Sequence, residues 1–209
     1  MDTERIGELL LPFFGGPALS GAQLNQLSLY LDHLLKWNAK INLTAVRDPE
    51  EIVTRHFGES LFAARHLLVE PMVLKSSIID IGSGAGFPGI PLKIWAPGLK
   101  LTLIESNHKK VAFLREAARL LKMSDTEVLP IRAEVANTKA DLVTLRAVER
   151  FEQVLPTARH LMNADGLLAL LVGANQEKAA LIVLPDLVWE TPLPIPLSQS
   201  RVLLIGRIA

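Results

Sequence analysis

The stretch with the clearest chemical potential runs Ser77-Ile-Ile-Asp-Ile-Gly-Ser-Gly-Ala-Gly-Phe-Pro-Gly-Ile-Pro91. Glycines stand at 82, 84, 86 and 89, and Gly84, Gly86 and Gly89 spell G-x-G-x-x-G. Glycine serves a turn that must take φ > 0, and a ligand resting on the backbone leaves no room for a Cβ. Such a turn can hold a nicotinamide dinucleotide for hydride transfer or S-adenosylmethionine for methyl transfer, or it can simply turn. Asp80 discriminates between the two cofactors. A pyrophosphate is drawn to a helix N-terminus, and a carboxylate two residues before Gly82 repels it. S-adenosylmethionine has no phosphate and carries a sulfonium and an ammonium, which Asp80 suits.

Two further acids follow at strand-end positions. Glu105 closes the expected strand Lys100 to Glu105, about 20 residues past the glycines, where an acid takes a ribose hydroxyl pair in either cofactor class. It reads equally as a helix-capping acid. Glu134, in Arg132-Ala133-Glu134 after the strand Val128 to Ile131, lies where it could reach an adenine, since ligands of doubly wound sheets sit outside the carboxyl ends of strands. The cluster Asn42, Arg47, Arg55, His56, Arg65 and His66 reads either as a solvated charged face or as an RNA-backbone contact surface. His56, between Arg55 and Phe57, fits a hydrogen-bonded structural group as readily as a base.

Composition removes other chemistries. Cysteine is absent, which excludes disulfides, Cys-ligated metals and the thiolate route to C5 of a pyrimidine. An Asn/Asp-Pro-Pro-aromatic signature for exocyclic-amine methylation is also absent. The 22 basic and 22 acidic residues cancel, so any RNA contact must come from a local basic patch. With 49% hydrophobic residues in 209, the chain is expected to form one globular unit with a full core. No apolar run reaches the length of a membrane span or signal peptide, so a cytoplasmic protein is expected.

The elements that must position these residues follow from periodicity. Leu24, Leu27, Leu31, Leu34 and Leu35 predict an amphipathic helix over 22–40, with Gln23, Gln26, Asp32, His33 and Lys36 on its outer face. Pro12 to Gly21 reads as a loop. Asp48-Pro49-Glu50-Glu51 starts another helix. From Ser77 onward strand-like runs alternate with helical ones: strands ending at Ile81, Glu105, Ile131, Arg146 and Gly173, and helices over 107–122 and 151–162. In the former, Lys109, Lys110, Arg119 and Lys122 face outward. Leu187 to Thr191 and Arg201 to Ile208 are expected to pair antiparallel at the sheet edge. The predicted fold is α/β, a mostly parallel seven-stranded sheet closed by an antiparallel C-terminal hairpin, which resembles the class I S-adenosylmethionine-dependent methyltransferase (Rossmann-like) fold. Residues 1–70 form a helical extension packed on a core of 71–209.

Over most of its length, from about Leu31 to Arg201, the chain resembles the RsmG (GidB) family of bacterial small-subunit rRNA guanine-N7 methyltransferases. The resemblance is carried by Trp37-Asn38, Asn42-Leu43-Thr44, Val46-Arg47-Asp48-Pro49, Arg55-His56 and Asp80-Ile-Gly-Ser-Gly-Ala-Gly-Phe-Pro-Gly-Ile-Pro91. It implies S-adenosylmethionine as cofactor, held by Asp80, Gly82, Ser83, Gly84, Gly86 and Phe87, with Glu105 at the ribose, Ala133 and Glu134 at the adenine and Arg146 at the mouth. It further implies RNA contacts from Arg47, Arg55, His56 and Arg201, with Arg146 and His56 as positioning groups and no metal. The implied partner is 16S rRNA or a small-subunit assembly particle, met by a monomer. The chain departs from the pattern at Val172, where a lysine is expected, and at Glu59-Ser60, where aspartate-serine is usual. A small-molecule methyltransferase, a dehydrogenase and a non-catalytic module on the same fold are the competing readings.

Overall fold

A computed structural model describes residues 1–14, 19–69 and 76–208. The first helix, α1 (Thr3–Leu10), starts where the Asp2 side chain accepts from the Arg5 N–H at 2.8 Å, and it buries Ile6 and Leu10. A 3-10 turn (Leu11–Phe13) occupies the start of the expected loop at Pro12 to Gly21, whose residues 15–18 lie outside those described. The long helix α2 (Gly21–Asn38) is opened by a capping box between Ser20 and Gln23. His33, expected on its outer face, is 6% exposed and stacks on Phe113 at 4.9 Å. Gln23 and Gln26 likewise turn inward, donating to the Ile94, Trp95 and Leu121 carbonyls, because this face of α2 meets the ends of two later helices.

The next helical run is α3 (Pro49–Glu51), a π-helical stretch (Ile52–Gly58) and α4 (Glu59–Leu67), with Asp48 as N-cap. A π-helical turn inside a helix is uncommon and is frequently found at functional sites. Gly58 sits in it for a packing reason, since a Cβ there would come within 2.4 Å of the Phe13 ring.

The sheet alternates with helices as expected: β1 (Ser77–Ile81), α5 (Gly89–Trp95), β2 (Lys100–Ile104), α6 (His108–Leu120), β3 (Thr126–Leu129), β4 (Ala140–Arg146), α7 (Phe151–His160), β5 (Met162–Gly173), α8 (Ala174–Val183), β6 (Leu187–Trp189), β7 (Leu193–Pro194) and β8 (Arg201–Ile208). Strand order is β3-β2-β1-β4-β5-β8-β6, parallel through β5, with β8 antiparallel between β5 and β6. Among the described residues the sheet has eight strands rather than the expected seven, the addition being two-residue β7 against β8. Helix α8 carries no helical signal in the sequence, because only Ala180 of it is fully buried and no apolar stripe runs along it.

Alternation along each strand divides the interior in two. Ile78, Leu101, Leu103, Leu142, Ala169 and Leu203 face one cluster shared with α1, α2, α4, α5 and α6. Ile79, Ile81, Ile104, Val143, Leu145, Leu168 and Leu204 face the other, under α7 and α8. The N-terminal helices thus share one layer of the fold with α5 and α6: Ile6 and Ile205 belong to the same cluster. The expected boundary at 70/71 lies outside the described residues. Among the described residues no helix is long and apolar enough to cross a membrane.

Candidate functional site

The glycine turn joins β1 to α5, and the chain can follow it only because Gly82, Gly84 and Gly86 take φ of 65°, 56° and 91°. It is tied down on both sides. The Ser83 N–H donates to the Ile104 carbonyl at 3.1 Å, and the Gly84 N–H donates to Glu105 Oε2 at 3.0 Å. Glu105 Oε1 also accepts from the Asn107 N–H at 2.8 Å, so this carboxylate joins the glycine turn to the entry of α6. The Tyr30 hydroxyl, reaching from α2, donates to the Ala85 carbonyl. A Cβ on Gly86 would strike Ile90 and the Tyr30 hydroxyl, whereas one on Gly84 would meet only the Gly82 carbonyl at 3.6 Å. Gly86 therefore faces the packing and Gly84 an open cradle.

That cradle belongs to a cavity of about 420 Å³ at the carboxyl ends of the strands. Gly82, Ser83, Gly84, Ala85 and Phe87 form one wall, and Thr44, Val46, Arg55 and His56 another. Arg146, Ala147, Val172, Gly173, Gln176 and Arg201 complete it from β4, β5, α8 and β8, with Lys110 at the start of α6. Lys110, expected to face outward, is a lining residue that helical periodicity missed, because it stands in the first turn of α6 where that helix leaves the sheet. Ala147 lines the cavity at φ 51°, a strained position for a residue with a Cβ.

His56 is 9% exposed and stacks on Phe87, ring centroids 4.8 Å apart. Its Nε2 lies 2.8 Å from Thr44 Oγ1, which itself accepts from the Val46 N–H at 3.2 Å. Which of the two donates depends on the imidazole tautomer, and Nδ1 is buried without a hydrogen-bond partner among the described residues. Burial, followed by the charges of Arg146, Arg55 and Arg201, pushes the His56 pKa down to about 2. The ring is neutral at any physiological pH.

Arg146, at the end of β4, is 9% exposed at its side chain. Its Nη2 donates to Glu59 Oε2 and to the Arg55 carbonyl, each at 2.8 Å, and the guanidinium carbon lies 5.7 Å from the Phe87 ring centroid. Glu59 Oε1 accepts from Arg201 Nε at 2.6 Å. Glu59, the substitution for the usual aspartate, is therefore a central member of the site. Val172, where a lysine is expected, lines the cavity and packs with the α7–α8 cluster, and Arg201 is the register partner of the adjacent Gly173.

Other expected site residues lie elsewhere. Asp80 is fully buried beneath the turn and is not a lining residue. Its Oδ1 accepts from Thr144 Oγ1 at 2.8 Å, and burial, opposed by the Thr144, Ser83 and Gly89 hydrogen bonds and by Arg146, raises its pKa to about 6. It faces the α2 side because β1 alternates and Ile79 and Ile81 take the other face. Ala133 and Glu134 occupy a 3-10 turn (Ala133–Val135) past β3, Ala133 buried and Glu134 exposed, and neither lines the cavity. Arg47 is exposed and donates to Asn42 Oδ1 at 3.2 Å, and it lies outside the cavity, where the exposed Arg65 and His66 near the end of α4 also lie. Among the described residues no cluster of three or more His, Asp or Glu could hold a metal ion.

Whether the site suits S-adenosylmethionine can be tested on these features. The Gly84 cradle would be filled by any side chain, the turn presents backbone rather than bulk, and a buried carboxyl lies beneath it. These fit a nucleoside carrying a cationic methionine moiety.

Comparison with known proteins agrees in fold and family. A family model described as rRNA small subunit methyltransferase G, GidB, matches residues 23–182. Ribosomal RNA small subunit methyltransferase G of Stenotrophomonas maltophilia (strain K279a) is 39% identical over 182 residues, covering 85% of this chain and 83% of that protein. The protein of that name in Xylella fastidiosa (strain 9a5c) is 39% identical over 186 residues, covering 87% and 85%. Among solved structures, a ribosomal protein L11 methylase from Lactobacillus delbrueckii subsp. bulgaricus superposes with a TM-score of 0.62 at 16% identity, over 75% of this chain and 80% of that one.

Proposed function

Since the chain belongs to the GidB family, rRNA small subunit methyltransferase G, we propose that it methylates N7 of a guanine in 16S rRNA. It is an S-adenosylmethionine-dependent RNA methyltransferase. The observation that carries the choice of acceptor is the make-up of the cavity: among the described residues Arg55, Lys110, Arg146 and Arg201 line it, no carboxylate does, and its one imidazole is held neutral. Four cations suit a polyanion. A histidine with a pKa near 2 is too weak a base to draw a proton from an amine or a ribose hydroxyl.

Guanine N7 needs no such base, because it presents a lone pair and no proton. Bound S-adenosylmethionine supplies the electrophilic methyl group. Gly82, Ser83, Gly84, Ala85 and Phe87 would hold its methionine side, with Glu105, buried behind that wall and not itself a lining residue, keeping the turn in place toward the ribose end. The Ala133–Val135 turn, at the next strand end, is read as the adenine side. Arg146 and Phe87 form the wall against which the guanine is aligned, and alignment is the contribution that this chemistry demands. Arg47 and Arg55, beside the mouth, take the RNA backbone. Residues 1–70 are read as the RNA-facing layer and 71–209 as the cofactor unit. The work would be cytoplasmic, done by a monomer on free 16S rRNA or on an assembly particle.

The deciding experiment incubates small-subunit rRNA and particles with enzyme and S-adenosylmethionine, then applies borohydride and aniline. Cleavage at one guanine is expected, because N7 methylation labilises that glycosidic bond. A methyl group on a ribose or exocyclic amine would overturn the acceptor, and transfer only to small molecules would overturn the RNA substrate.

A further inference from the structure

Building on the rRNA methyltransferase reading, we propose that Glu59 is a positioning residue for the transfer, one buried carboxylate that sets the reach and orientation of both Arg146 and Arg201 on the cavity wall. Three segments far apart in sequence meet at it. Glu59 opens α4 directly after the π-helical turn and is 1% exposed. Arg146 comes from the end of β4 and Arg201 from the start of β8, and each gives one nitrogen to a different oxygen of the carboxylate. Both carboxylate oxygens are thereby used, and neither faces the cavity as an acceptor that would repel phosphate.

The way each arginine is held differs in a manner that matters for substrate. Arg146 is engaged through Nη2 by Glu59 and the Arg55 carbonyl together, which pins its plane. Arg201 is engaged through Nε alone, with 31% of its side chain exposed, and among the described residues its two terminal nitrogens have no hydrogen-bond partner. Glu59 thus leaves the outer fork of Arg201 aimed away from itself and available to a phosphate or base carbonyl. An arginine whose fork is oriented in advance loses less freedom when it binds. The charge balance is also set here. One carboxylate against two guanidiniums leaves a net positive charge, enough to attract RNA while relieving the repulsion between the two cations.

Glu59→Gln keeps the shape and removes the charge, and Glu59→Asp keeps the charge one methylene short. Single-turnover methyl transfer at saturating rRNA, calorimetric affinity for S-adenosylmethionine and the salt dependence of RNA binding should be measured for both. For Glu59→Gln the transfer rate should fall at least tenfold with cofactor affinity within threefold of wild type. The log–log salt slope for RNA should steepen by up to about 0.7 to 0.9, as loss of the carboxylate raises the net charge facing the RNA by one. A merely structural role would lower rate and cofactor affinity together and leave that slope alone, which would overturn the proposal, as would a wild-type rate in Glu59→Gln. If Glu59→Gln does not fold, Glu59→Asp is compared in wild type and in Arg201→Gln. A loss that shrinks at least threefold in the Arg201→Gln background supports action through Arg201, and equal losses in both overturn it. A wild-type chain unable to methylate small-subunit rRNA would instead overturn the functional reading, and this proposal with it.

Discussion

Glu105 Oε2 accepts from the Gly84 backbone N–H at 3.0 Å, so the acid at the end of β2 holds the middle of the glycine turn. With its other oxygen on the Asn107 N–H, the carboxylate satisfies two backbone donors that would otherwise be left bare near the cofactor.

Glu105→Ala should therefore weaken S-adenosylmethionine binding through the turn as well as through any ribose contact. Hydrogen bonds to a charged group contribute about 1.5–3 kcal/mol each, so a loss of at least tenfold in cofactor affinity is expected by calorimetry. Glu105→Gln, which retains one acceptor oxygen, should lose less. Equal affinity in Glu105→Ala and wild type would remove this residue from the site.

Two glycines of the same turn should fail differently. In Gly86→Ala the new Cβ would come 2.5 Å from Ile90 Cδ1 and 2.7 Å from the Tyr30 hydroxyl at φ 91°. Overpacking costs about 1–3 kcal/mol and the left-handed backbone about 1–2 more, so the urea midpoint should drop markedly. Gly84→Val projects into open space at φ 56°, so it should bear the backbone cost without the clash, lose less stability than Gly86→Ala and abolish cofactor binding. A Gly84→Val chain that still binds S-adenosylmethionine would place the cofactor elsewhere.

Stability should show a concealed pH dependence, because two buried groups act with opposite sign. Asp80 has a folded pKa of about 6, above its ordinary 3.8. Its contribution is full below 3.8 and is lost as pH rises through 6. His56, lowered from 6.5 to about 2, contributes fully above 6.5 and loses that contribution as pH falls. Between about pH 4 and 6 each gives a slope of about 1.4 kcal/mol per pH unit, and the two offset. Asp80→Asn should therefore become less stable as pH falls across this window, and His56→Gln less stable as it rises. Urea denaturation at half-unit steps measures both slopes, and parallel profiles for the two variants would refute the assignment.

The rate of methyl transfer should be flat from about pH 6 to 9, since His56 stays neutral throughout and N7 surrenders no proton. A rate rising tenfold per pH unit in single-turnover measurements would mean that a base is being titrated.

Arg47→Glu with Arg55→Glu should weaken RNA binding several-fold and leave S-adenosylmethionine affinity unchanged. Arg55 lines the cavity and Arg47 lies outside it, so the single Arg55→Glu variant should account for most of the loss. Filter binding at two salt concentrations checks this, and wild-type RNA affinity in the double variant would exclude the surface.

Local patterns determined much of this protein. The β-branched run into Gly82, Gly84 and Gly86 dictates a strand and a turn with φ > 0, and the alternation of apolar runs beyond it dictates a parallel sheet with an antiparallel edge. Both follow from steric and periodic rules that act over a few residues. Tertiary structure alone decided which charges meet. Glu59 lies 87 and 142 residues from its partners Arg146 and Arg201, and nothing local to any of them marks the contact. The face of β1 that Asp80 takes, the inward turn of His33 and the arrival of Lys110 at the cavity depend on which helix covers which side of the sheet. That choice is made by long-range packing, in which a carboxylate's neighbours come from whichever strands the topology places beside it.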